Sequence, residues 1–175
     1  MKNRLKKLNI FFIVLCIIIS SIIPTAAFAA SEDDLRSSVV SIASDEVGYT
    51  GTSSYSKYGD WYGYQGGWCT TFVLWCFNKA GKQNGVTLNG VIIPRGGNCS
   101  SMISWFKGRY YSPSKYTPKS GDLIFFDWTG SGTADHVGIV NYTSGTTVYT
   151  IEGNCSGKVK AREYTKKGSK PYNNI

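Results

Sequence analysis

Beyond residue 30 the chain reads as two halves with different periods. Leu35, Val39, Ile42, Ala43, Glu46 and Val47 recur at helical spacing, behind a Ser31 that can cap a helix whose first turn carries Asp34. Gly48 is the expected end of that helix. From Gly51 to Gly67 the residues are mostly Gly, Ser, Tyr and Trp, which predicts a loop. A second helix is predicted from Trp68 to Ala80, with Phe72, Val73, Cys76 and Phe77 as its apolar face and Gly81 as a left-handed cap. A third, shorter one is predicted over Cys99 to Lys107, capped by Asn98 and followed by Gly108.

After Lys119 the period becomes that of strands. Asp122–Asp127, His136–Thr143, Thr147–Glu152 and Lys158–Tyr164 are the four candidates. Helices first and an antiparallel meander in the C-terminal half predict an α+β fold, with the helices packed on one face of the sheet.

The first 29 residues have another character. Lys2, Arg4, Lys6 and Lys7 precede an apolar stretch from Ile10 to Ile23, and small residues follow, ending in Ala27-Phe28-Ala29. That is the layout of a cleaved secretory signal, and the stretch is shorter than the ~20 residues a spanning helix needs. The expected organisation is a signal peptide at 1–29 and one domain at 30–175. The mature protein is then secreted, extracellular or wall-associated, free of the membrane, and a monomer.

Composition narrows the classes. With 175 residues and 42% hydrophobic side chains the chain is neither disordered nor collagen-like. The formal charge of +8 resembles a nucleic-acid signature, but four of the basic residues sit in the leader. The remaining fifteen, set against eleven acidic residues, leave no reason to expect a nucleic-acid partner.

Four cysteines remain beyond the leader: Cys69, Cys76, Cys99 and Cys155. They allow two disulfides in any of three pairings. Cys76 lies two helical turns past Cys69, about 10 Å away, too far for a bond between those two. With no C-x-x-C pair and one histidine, a zinc site is not expected, and no metal or other cofactor is assigned. Asp127-x-Thr129-x-Ser131-Gly132 outlines a calcium loop without its usual acidic ligands and is read as a turn.

Cys69 opens a predicted helix, where unpaired amides and the helix dipole favour a thiolate. His136 begins a strand. A hairpin closing at Ser144-Gly145 would set Thr143 against Thr146 and His136 against Gly153, next to both Glu152 and Asn154. A one-residue bulge or a three-residue loop would put Glu152 directly across from His136. Either way an imidazole comes beside a carboxylate and an amide, the neighbours that fix a tautomer and stabilise an imidazolium.

These pieces stand in a recognisable order. Trp68-Cys69-Thr-Thr-Phe72-Val73-Leu-Trp75, then Gly121-Asp122-Leu-Ile-Phe-Phe, His136-Val-Gly138-Ile-Val and Glu152-Gly153-Asn154 resemble the CHAP family, the cysteine, histidine-dependent amidohydrolases/peptidases that cut bacterial peptidoglycan. The Gly-Asp-Leu-Ile-Phe-Phe and His-Val-Gly-Ile segments are shared with NlpC/P60 endopeptidases, whereas the Trp-Cys opening and Glu-x-Asn close favour CHAP. The resemblance implies a papain-like fold and a peptidoglycan substrate. It also implies Cys69 as nucleophile, His136 as base, and Glu152 and Asn154 as orienting partners. Trp61, Tyr64, Trp68 and Asp135 are the substrate-binding candidates. The rival readings are an NlpC/P60-type endopeptidase and a non-catalytic wall-binding module on the same fold.

Overall fold

The computed structural model describes residues 30–106, 108 and 115–166. The candidate signal peptide and the last nine residues lie outside them. In chain order the elements are α1 (Glu32–Asp45), α2 (Lys57–Tyr62), α3 (Cys69–Gln83), α4 (Cys99–Trp105), β1 (Leu123–Phe126), β2 (His136–Ser144), β3 (Thr147–Glu152) and β4 (Lys160–Thr165). The strands form one antiparallel sheet in the order β1-β2-β3-β4, giving the α+β arrangement that the change of period predicts.

Three of these four helices begin at a side-chain cap. Ser31 and Asp34 complete a reciprocal capping box on α1, Ser56 caps α2 through the Gly59 amide, and Asn98 caps α4 through the Ser101 amide. α2 is a correction to the predicted loop. Gly59 lies inside the helix and Gly63 ends it, so the periodic signal is only six residues long, while Tyr58 anchors it in the core against Phe72 and Trp75. α3 runs past Gly81, contrary to expectation. There the missing side chain admits the returning Val86 carbonyl, which a Cβ would meet at 2.6 Å. The left-handed residue comes later, at Gly85.

The main core joins helices to sheet: Val39, Ile42 and Ala43 of α1, Phe72, Val73, Cys76 and Phe77 of α3, and Val137, Ile139 and Ile151 from the strands. Alternation along the strands sends Ile124, Phe126, Val140 and Val148 to the opposite face, where they form a second small cluster.

The β2–β3 register differs from the sequence expectation. Ser144 pairs with Thr147, so the two-residue loop is Gly145-Thr146, with Gly145 at φ +57°. A bulge between Val140 and Tyr142 then shifts the ladder, and Ile139 faces Ile151. Continued outward, this register sets Gly138, not His136, against Glu152.

Candidate active site

Four segments converge at one end of the sheet: the N-terminus of α3, the N-terminus of α4, the start of β2 and the turn after β3. α3 is unlike the other three helices at its start. Its cap residue, Trp68, makes no side-chain capping bond, and the first intrahelical bond runs from the Phe72 amide to the Trp68 carbonyl. The first-turn amides therefore face the site without a side-chain cap, beside the Cys69 thiol.

Two close approaches bring the sheet to that helix end. Gly153 lies against Phe72, and a Cβ there would fall 2.6 Å from the Phe72 Cβ. Gly138 lies under the Glu152 side chain, and a Cβ there would meet the Glu152 Cγ at 2.6 Å. With that space open, the carboxylate reaches diagonally across the ladder to the ring of His136.

His136 Nε2–H donates to Glu152 Oε2 at 3.0 Å, with the two residues 5% and 0% exposed. Two further donors meet the same carboxylate: the Thr150 hydroxyl on Oε1, and the Cys155 thiol on Oε2 at 3.2 Å. With Nε2 engaged, Nδ1 is the ring nitrogen left to serve Cys69. On the open side Trp128 stacks on the imidazole, the centroids 4.5 Å apart and the planes 21° from parallel.

The electrostatics follow from these contacts. The hydrogen bond from Cys99, whose sulfur lies 3.9 Å away, is the largest influence on Cys69. Burial opposes it, but His136 and the Val137 amide add to it, and the thiol falls to about 5. Burial disfavours the charged form of His136. The bonds to Cys155, Cys69 and Glu152 outweigh that, and the ring is pushed up to about 11. Glu152 is held below its ordinary range despite its burial, chiefly by His136 and Thr150. The pair is accordingly a thiolate and an imidazolium at neutral pH.

Cys69, His136 and Glu152 thus come together as the sequence suggests. Asn154 takes another place. β3 ends at Glu152, and Asn154 adopts φ +61°, which removes it from the strand alternation that would have kept it on the His136 face. Its Nδ2 donates to the Ser53 carbonyl at 3.1 Å, while its Oδ1 is buried without a hydrogen-bond partner.

The substrate-binding candidates divide. Trp68 is 1% exposed, packs against Tyr49 and Tyr58, and donates its indole N–H to the Thr52 carbonyl. It is a core residue and offers no face to a polymer. Trp61 and Tyr64 are exposed, and the Tyr64 ring lies over Gly66, just ahead of Cys69. The Asp135 carboxylate accepts from the Trp128 and Thr129 amides, closing the loop that carries the stacking indole. Asp127 accepts from the Ser131 and Gly132 amides, so its segment is the predicted turn.

All four cysteines in the described residues are free thiols. Among those residues, one group offers three potential metal-ligand atoms, His136, Glu152 and Cys155. Its members are bonded to one another in the network above. Sequence reasoning missed Trp128, Cys99 and Cys155. Trp128 sits in a loop without periodicity, and Cys99 is thirty residues from its partner.

In comparison with known proteins, the family model for the CHAP domain matches residues 45–154. No match was found among curated proteins or solved structures.

Proposed function

The chain belongs to the CHAP family, and we propose that it is a secreted or wall-associated cysteine hydrolase that cleaves an amide bond of bacterial peptidoglycan as a monomer. The observation that supports this reading best is the uncapped start of α3 with the Cys69 thiol beside a buried His136–Glu152 pair.

In this mechanism the Cys69 thiolate attacks the amide carbonyl. The first-turn amides of α3 stabilise the oxyanion that develops, because they are fixed and have no side chain to satisfy them. His136, as the imidazolium, gives its Nδ1 proton to the leaving amine and then activates the water that hydrolyses the thioester. Glu152 keeps the other nitrogen protonated and balances the ring's charge. Trp128 covers the imidazole face. Asn154 supports the same site by tying the turn after β3 to Ser53. Trp61 and Tyr64 supply exposed aromatic surface for the glycan or stem peptide.

The test is mass spectrometry of purified peptidoglycan digested with the wild type and with Cys69→Ala. The wild type should release fragments cut at one type of amide bond, and the variant should release none. A free lactyl-ended glycan identifies an amidase, and cut stems or bridges identify a peptidase. Equal digestion by Cys69→Ala would refute the proposal.

A further inference from the structure

In the hydrolysis derived above Cys99 forms no bond to the substrate and acts only through its hydrogen bond to Cys69, whose sulfur is 3.9 Å from its own. Each cysteine is the first residue of its helix, Cys69 of α3 and Cys99 of α4. Cys99 is only 6% exposed, and Cys69 is half-buried. The two differ in charge as well. The hydrogen bond to Cys69 and burial push the Cys99 thiol up, so one member of the pair is a thiolate and the other holds its proton. The remaining thiols are placed otherwise: Cys155 donates to Glu152, and Cys76 is enclosed in the core.

We propose that Cys99 is the resolving thiol for Cys69, and that a hydroperoxide converts the pair into a disulfide that reversibly removes the nucleophile. The Cys69 thiolate attacks the terminal oxygen of the peroxide and the O–O bond breaks. The departing alkoxide or hydroxide takes up a proton, and Cys69 becomes a sulfenic acid. The Cys99 sulfur then attacks the sulfenic sulfur. The S–S bond forms, the S–OH bond breaks, and hydroxide leaves with the Cys99 proton as water. In total two thiols and one hydroperoxide give a disulfide, water, and an alcohol or second water. A dithiol reductant reverses the change by exchange. Bonded sulfurs are about 2.0 Å apart, so each need move only about 1 Å. The chain enters α4 through Gly96-Gly97, directly ahead of Asn98.

The inference rests on Cys69 being the reactive thiolate, but its test reads mass, not hydrolysis. Reduced wild type, Cys99→Ser and Cys99→Ala are treated with hydrogen peroxide in steps and mapped by peptide mass spectrometry. The wild type should yield a peptide pair joining Cys69 to Cys99, with the loss of two hydrogens, and dithiothreitol should release it. Both variants should carry two or three oxygens on Cys69 and become irreversibly oxidised at least about tenfold faster. Wild-type Cys69 that gains two or three oxygens without the joined peptide would overturn the proposal, as would joining to Cys155 instead. If neither variant folds, the wild-type map alone decides. A Cys69–Cys99 disulfide in a protein whose reduced form leaves peptidoglycan intact would uphold the pairing while refuting the hydrolase.

Discussion

Replacing Glu152 by glutamine removes a charge while leaving the geometry almost intact, and so isolates what the charge does. Three donors converge on the carboxylate, from His136, Thr150 and Cys155. A glutamine oxygen in place of Oε2 still accepts from His136 and Cys155, and its amide then faces the Thr150 hydroxyl, which can rotate to accept. The ring therefore keeps its tautomer. At 3.0 Å the charge pair is worth about 5 kcal/mol at an effective dielectric of about 20. About 2 kcal/mol survives as the hydrogen bond from the charged ring to the amide oxygen, and the remainder lowers the His136 titration by about two pH units. With the wild-type ring pushed up to about 11 and Cys69 lowered to about 5, the ion pair outlasts the substitution at pH 7. Turnover at neutral pH should accordingly fall only about tenfold, from looser orientation, while the alkaline limb moves down by about two units. Glu152→Ala, which strands the buried N–H, should lose about a thousandfold. Asn154→Ala should lose less than Glu152→Gln, because its bond goes to Ser53. His136 is the single histidine of the chain, so its proton resonances report the titration directly. A His136 titration unmoved in Glu152→Gln, or an Asn154→Ala variant that is the worse of the two, would refute the assignment of Glu152 as the ring's counter-ion.

Three further outcomes are expected. Gly138→Ala puts a methyl 2.6 Å from the Glu152 Cγ, and should cost about 1–3 kcal/mol in urea unfolding together with a loss of turnover; wild-type values for both would contradict the crowding argument. Because Cys69 is lowered to about 5, its thiolate is present above that pH and lost below it. Iodoacetamide labelling of Cys69 should therefore be half-maximal near pH 5, and a midpoint above pH 8 would show an ordinary thiol. Trp128→Ala uncovers the imidazolium face and should lower kcat/KM roughly fivefold, a cation–π effect of about 1 kcal/mol, with Trp128→Phe recovering most of it; an unchanged rate would make the stacking incidental.

What the sequence discloses here depends on how local the cause is. α1 was legible because its capping box lies within four consecutive residues, and β3 because a run rich in Thr, Val, Tyr and Ile lies between Gly145 and Gly153. The His136–Glu152 partnership was legible for the same reason: a hairpin is a local structure, and any nearby register brings those two residues together. The register itself was not. It depends on a bulge at Asn141 and on whether Ser144-Gly145 or Gly145-Thr146 turns the chain, and no periodicity distinguishes these. Asn154 shows the cost of extending a strand pattern too far, since one residue at positive φ ends the alternation and sends the amide to Ser53.

The meeting of Cys69 with His136 belongs to a different level. Composition at either site reveals only a helix start and a strand start, and what joins them is packing at glycine. Gly153 lets the end of β3 lie on Phe72, one turn inside α3, and Gly138 lets the carboxylate cross to the ring. Both positions would read as weak points in a strand or turn if judged by propensity alone. Here each loss of side chain places a charged group: one brings the imidazole to the thiol, the other brings the carboxylate to the imidazole. The same packing at the α3 end sets the Cys99 sulfur beside the thiolate from a helix thirty residues on. The polar chain from Glu152 through His136 to Cys69 and Cys99 is therefore a consequence of where the backbone can approach closely. That is why the residues with the least chemistry of their own carry the geometry of the site.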